Sequence, residues 1–230
     1  MSGSRPESPA PRRWLREHGL LLVNGALFVA FLVGMTITGW HVASNEAVRH
    51  GESPEPLSAY LVSGDFYEAV FENWESEFLQ MGSYVVLTVF LFQKGSSESK
   101  PLNKPAPQDE DPRKHQSDPR APWPVRRGGL PLLMYENSLF ILFMVLFVGS
   151  FLAHAASGAS AYSEELRMHG QPEVGAVEYM GTAQFWFESF QNWQSEFMVV
   201  ALLIGVAVYL RQRGSPESKP VHAPHDETGD

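Results

Sequence analysis

Residues 20–40 run for 21 positions without a charged side chain. At about 1.5 Å per residue, a helix of that length covers roughly 30 Å, the hydrocarbon core of a bilayer. Residues 138–156 form a second such stretch, in which only His154 can ionise. A chain of 230 residues is too small to bury two helices that are apolar all round, so both are expected to cross a membrane. Two shorter apolar runs, 78–92 and 197–210, fall short of a span by themselves. Each follows an aromatic-rich segment that extends the helix, so 66–92 and 185–210 are long enough to cross with tilt. Arg12, Arg13 and Arg16 before the first run could open a signal peptide. Its apolar part is too long for one, and His41-Val42-Ala43 offers no small-x-small cleavage site, so an uncleaved span is expected.

Charge fixes the expected orientation. Of 17 basic residues, four lie in 1–18, eight in 93–138 and three in 211–230. Segments 41–77 and 157–196 hold one each, Arg49 and Arg167, against eight and six acidic residues. The positive-inside rule then puts both termini and the central segment in the cytoplasm and the two acidic loops outside. Four spans of a multi-pass plasma-membrane protein satisfy that count.

Residues 1–13, 93–129 and 211–230 are polar and proline-rich. Such segments bury too little apolar surface to offset chain entropy. They are expected to be a disordered N-terminal tail, a disordered cytoplasmic linker and a disordered C-terminal tail. Between them lie two transmembrane hairpins, 14–92 and 130–210.

The hairpins match one another. Shifted by 119, 27 of the 85 positions from 17 to 101 are identical without a gap. The best block sets Asn73-Trp74-Glu75-Ser76-Glu77-Phe78 against Asn192-Trp193-Gln194-Ser195-Glu196-Phe197, and His50-Gly51 aligns with His169-Gly170. One constant offset marks an internal repeat. With an even number of spans in each, the copies run parallel about an axis along the membrane normal. The expected fold is an all-α membrane protein, a bundle of four transmembrane helices from two parallel repeated hairpins. The paired N-W-x-S-E-F blocks, each with a Q-K/R-G-S-x-E-S-K-P tail, resemble an uncharacterised family of bacterial membrane proteins known only as a domain of unknown function. The resemblance implies bacterial origin and a membrane location. It implies no activity, ligand or catalytic residue.

Ala26, Ala30, Gly34 and Thr38 fall at every fourth position, and Val145, Gly149, Ala153 and Ser157 are their equivalents. Small residues so spaced let helices approach closely, so this is the expected packing face. Tyr67, Phe71, Trp74 and Phe78, repeated as Trp186, Phe190, Trp193 and Phe197, read as an interfacial aromatic belt. Glu77 and Glu196 stand just before their apolar runs, with Asn73 and Asn192 four residues earlier on the same face. A carboxylate at membrane depth is costly unless paired or wet. These four residues are the candidate polar hub, with outer headgroups as the alternative surroundings for the two glutamates. His50 and His169, each before a glycine, read as turn or helix-end residues, with metal binding as the alternative. His154 and His41 are the histidines a haem would use, but the repeat preserves neither.

The chain has no cysteine, which excludes disulfides, thiolate metal sites and cysteine nucleophiles. A net charge of −9 argues against nucleic acid, which leaves the lipid bilayer as the expected partner. No hydrolase elbow, zincin motif, phosphate loop or dinucleotide fingerprint is present, so no catalytic residue, cofactor or metal ligand is assigned. The expected function is a non-catalytic structural or partner-binding role. The alternatives are a small transporter or channel for protons or cations using Glu77 and Glu196, and a membrane redox or metal-binding protein.

Overall fold

In a computed structural model of the protein the described residues are 14, 15, 17–102 and 104–228. The tail expected over 1–13 lies outside them. They form helices and turns without a strand. The chain divides into two compact units, residues 1–66 and 67–230.

In the first unit, α1 spans Gly19–Arg49 and α2 spans Leu57–Tyr60. The most apolar 18-residue window of α1 has a mean hydropathy of 2.3 and no buried residue. A soluble core helix of that composition would be covered by protein, so the exposed apolar wall fits lipid contact. The helix overruns its apolar stretch and ends at His50, where Gly51 turns left-handed at φ +81°. The Glu52 N–H donates to Ala47 O and the Gly51 N–H to Val48 O, a Schellman close that glycine adopts without a Cβ penalty. The chain is then drawn back, because Trp40 Nε1 and Ser44 Oγ both donate to Glu55 O, at 2.6 and 3.0 Å. The Tyr60 ring fills the space over Gly39.

α3, Gly64–Phe90, begins at the end of that unit and runs into the second. The second unit continues with α4 (Trp123–Arg127), α5 (Gly129–Glu136), α6 (Ser138–Met168), α7 (Ala176–Tyr179) and α8 (Ala183–Val206). α6 is the second helix long and apolar enough to cross a membrane, with a mean hydropathy of 2.3 and 17% of its window buried. It ends as α1 does, with Gly170 left-handed after His169. Both His–Gly pairs are thus helix ends.

Helices α6, α7 and α8 each start 119 residues after α1, α2 and α3. Local contacts recur at the same offset. Ser163 Oγ bonds Val174 O at 3.1 Å as Ser44 does Glu55 O. Tyr179 covers Gly158 as Tyr60 covers Gly39. The apolar core of the second unit is Ala155, Ala159, Tyr179 and Phe185, with Phe151 and Tyr162 against it.

The packing faces differ from the small-residue ridge expected. A Cβ at Gly34 or Gly149 would meet nothing within 4 Å, whereas at Gly82 and Gly158 it would meet Met144 and Tyr179 at 2.5 Å. α6 packs through Ser150, His154, Ala155, Gly158 and Ala159, which are buried. Burial follows where the polar side chains find partners, and small size alone does not select the face.

Residues 93–102 and 104–128 contain turns and two short 3-10 helices, Pro107–Asp109 and Pro112–His115, before and beside α4. The Q-x-G-S-x-E-S-K tails are serine-bonded turns. Gln93 N–H donates to Ser99 Oγ and Gln212 N–H to Ser218 Oγ, while Gly95 and Gly214 take φ near +87°. Lys219 is 1% exposed and donates to the carbonyls of Pro224, His225 and Glu227. These bonds depend on serines and a lysine rather than on apolar burial.

Gly158→Ala forces a methyl onto Tyr179 and should destabilise by about 1–3 kcal/mol. Gly149→Ala, in the same helix with open space around it, should be neutral or gain about 0.5–1 kcal/mol. Melting both variants in detergent checks the contrast.

Candidate functional site

Three carboxylates line one face of α3. Glu68, Glu72 and Glu75 are spaced by four and three residues, which brings them over one another on a helix. Opposite them α6 contributes His154, α7 contributes Tyr179, and α8 contributes Gln184, Glu188, Ser189, Asn192 and Trp193. All belong to the second unit.

His154 is the centre. Its side chain and that of Glu75 are 0% exposed. Nδ1 faces Glu75 Oε2 at 3.1 Å and Nε2 faces Glu188 Oε2 at 3.4 Å. A neutral imidazole has one N–H, so two facing carboxylates call for an imidazolium or for a proton or cation on one side. The ring stacks on Phe185 at 4.9 Å. Glu75 Oε1 also accepts from Ser189 Oγ at 2.9 Å and Trp193 Nε1 at 3.2 Å. A buried carboxylate is costly unless it is paired and hydrogen-bonded. Donors to a charged group return about 1.5–3 kcal/mol each, so three of them hold Glu75 where burial alone would expel it.

The second carboxylate group is tied to a tyrosine. The Tyr179 hydroxyl makes a short contact with Glu188 Oε2 and lies 3.1 Å from Glu68 Oε1. Burial first, then the bond to Glu188 and the charges of Glu68 and Glu188, push this phenol far above its usual range. It therefore remains a hydroxyl with a single proton to share between two carboxylates. Gln184 donates to Glu188 Oε1, and Asn192 donates to Glu72 Oε1. One oxygen each from Glu68 and Glu188 and a nitrogen of His154 all lie within 4.8 Å of one another.

The elements that build the cluster carry no lysine and one arginine, Arg167, which pairs with Glu173 at 3.5 Å. Four glutamates thus converge on one histidine. Beyond them, Ser76, Gln80, Tyr84 and Thr88 continue from Glu72 along α3 at every fourth position. Ser76 and Gln80 are buried. Gln80, Tyr84 and Thr88 line a cleft of about 320 Å³ between α3 and α8, whose far end holds Gln93 and Glu98. The Tyr84 hydroxyl donates to Glu98 at 3.0 Å.

Of the four residues expected to form a hub, Asn192 stands in this cluster. Asn73 gives its amide to Ala69 O in its own helix at 2.8 Å. Glu77 is exposed and Glu196 half-buried, within electrostatic reach of each other. Glu77 is a step of two positions from Glu75, about 200° around the helix, so they cannot share a face. The aromatic belt also has a second role, since Trp193 is a donor to Glu75.

A model of the family described as Domain of unknown function (DUF6766) matches residues 11–230. The chain belongs to that family. No curated protein and no solved structure matches it. For this DUF6766 chain the site therefore rests on its own geometry. Sequence reasoning passed over Glu68, Glu72, Glu75, Glu188, Tyr179 and Ser189 because it favoured residues kept between the two halves. At the 119-residue offset Glu68, Glu72, Glu75, His154 and Glu188 correspond to Phe187, Gln191, Gln194, Met35 and Ala69. Every ionisable member is lost in the other half, while Tyr179, Asn192 and Trp193 have Tyr60, Asn73 and Trp74 as equivalents. The signal available was the 4,3 spacing of three glutamates and a histidine inside an apolar span.

Removing one partner of a buried charged pair costs about 3–5 kcal/mol. Glu75→Leu and His154→Leu should each fall in that range in detergent unfolding. The double variant should be less destabilised than their sum by about 0.5–3 kcal/mol. Strict additivity would mean that the pair is not energetically coupled.

Proposed function

We propose that this protein is a four-span membrane protein of two parallel hairpins that takes a small cation into the Glu68–Glu72–Glu75–Glu188–His154 cluster. The observation that carries this reading is the convergence of four carboxylates on one fully buried histidine, in helices whose one other base, Arg167, pairs with Glu173 instead. Glu75 is buried and Glu68, Glu72 and Glu188 are half-buried, and such an excess of sheltered negative charge is stabilised by protons or cations. With the orientation expected from the basic residues, the cluster lies toward the outer face. The polar line from Ser76 to Glu98 then leads from it toward the cytoplasm, which favours passage of the cation over static storage. At the 119-residue offset the ends of this line are kept as Ser195 and Glu217, but Gln80, Tyr84 and Thr88 become Val199, Leu203 and Ala207, so the polar middle of the line belongs to α3 alone.

Topology is checked by tags. Reporters at the N-terminus, Gln108 and Asp230 should be cytoplasmic, and reporters at Pro54 and Pro172 should be outside. One reporter on the wrong side overturns the four-span arrangement.

Passage is checked in proteoliposomes under an imposed membrane potential, with potassium, sodium and proton gradients tested in turn. At least one should dissipate faster than in empty vesicles, and Glu75→Gln should cut that rate about tenfold or more. A loss seen instead in Glu77→Gln with Glu196→Gln, and not in Glu75→Gln, would move the path to that pair. Rates equal to empty vesicles would overturn the reading.

A further inference from the structure

The cluster contains an arrangement more specific than a surplus of carboxylates. His154 turns Nδ1 to Glu75, and Glu75 is itself held by Ser189 and Trp193. That chain fixes the ring and leaves Nε2 facing Glu188, with a carboxylate oxygen of Glu68 within 4.8 Å of the same site. The contact it makes there, 3.4 Å to Glu188, is longer than a good N–H···O bond. A carboxylate behind a histidine, with the far ring nitrogen left facing a site of further carboxylates, is the way proteins orient a metal-binding imidazole. Tyr179 bridges Glu68 and Glu188 from the side, so both of these carboxylates are also oriented by a hydrogen bond.

We infer that Glu68, Glu188 and His154 Nε2 form a binding site for a divalent first-row transition metal ion, with zinc the best fit. This inference rests on the cation-binding reading and names its ligand. One imidazole nitrogen and two carboxylate oxygens are a donor set suited to zinc, and Glu75, Tyr179 and Gln184 are the supporting shell. The donor atoms lie within 4.8 Å of one another. Zinc bonds of about 2.1 Å set tetrahedral donors about 3.4 Å apart. Glu188 Oε2 already stands 3.4 Å from Nε2, so the set closes when the Glu68 side chain turns inward by about an ångström. Three protein ligands leave a fourth position for water or an exogenous group. Binding exchanges the Nε2 proton for the metal, so the ion and that proton compete for one place. Calcium and magnesium, which take oxygen donors and larger ligand sets, are poorly served by a site with one nitrogen and two carboxylates.

The test uses the full chain, purified in detergent and stripped with a chelator. Equilibrium dialysis against Zn2+ should give one ion per chain, undisturbed by a hundredfold excess of Mg2+ or Ca2+. Substoichiometric zinc, or its displacement by Mg2+ or Ca2+, overturns the inference; both results come from the parent protein and need no variant to fold. His154→Gln and Glu188→Gln should abolish saturable binding, and Glu75→Gln should weaken it about 10–100-fold. Glu77→Gln should bind as the parent does, and a loss there equal to that in His154→Gln would also overturn the assignment. Dialysis and vesicle flux fail separately. Monovalent or proton flux without zinc binding leaves the passage reading and removes the metal, whereas zinc binding without flux does the reverse.

Discussion

The contact between His154 and Glu75 sets the terms for everything packed around it. Both side chains are fully buried, and neither can stay so without the other. The pair demands Ser189 and Trp193 on Glu75, Glu188 on the far side of the ring, and Tyr179 on Glu188. Those demands place α8 and α7 against α6 and fix the face that α3 presents. The apolar part of the same core is four residues, Ala155, Ala159, Tyr179 and Phe185. Where lipid offers no hydrophobic push between helices, polar contacts and close packing must supply the specificity.

Within the helices around this pair, glycine lets a ring lie flat on the backbone. Gly158 admits Tyr179, and Tyr179 then reaches Glu68 and Glu188. Gly39 admits Tyr60 at the equivalent place, where the positions matching the cluster's histidine and Glu188 are Met35 and Ala69. The neutral scaffold of tyrosine, asparagine and tryptophan occurs in both halves, whereas each charge occurs in one half only, Glu68, Glu72 and Glu75 in the first and His154 and Glu188 in the second. A site built this way is asymmetric even though its helices start at one constant offset.

That asymmetry explains which readings of the sequence reached the structure. The two long apolar stretches are helices with exposed apolar walls, and composition over 20 residues suffices for that because lipid exposure asks only for length and apolarity. The His–Gly pairs end helices through local bonds that any chain with that dipeptide can make. The family membership follows from the paired motifs. Glu77, Glu196 and Asn73 were singled out by their recurrence in both halves, yet recurrence reports the common scaffold. The cluster's charges sit where the halves differ.

Sequence alone determined the helices, their ends, the offset between their starts and the concentration of acid in the segments around 41–77 and 157–196. Each of those depends on neighbours within about four residues or on composition. Only the tertiary structure decided that Glu75 rather than Glu77 faces inward, that His154 meets carboxylates from two other helices, and that Tyr179 joins Glu68 to Glu188. Those choices depend on the rotation of each helix about its own axis. A step of two residues turns a side chain by about 200°, and no local pattern fixes that angle until the helices pack.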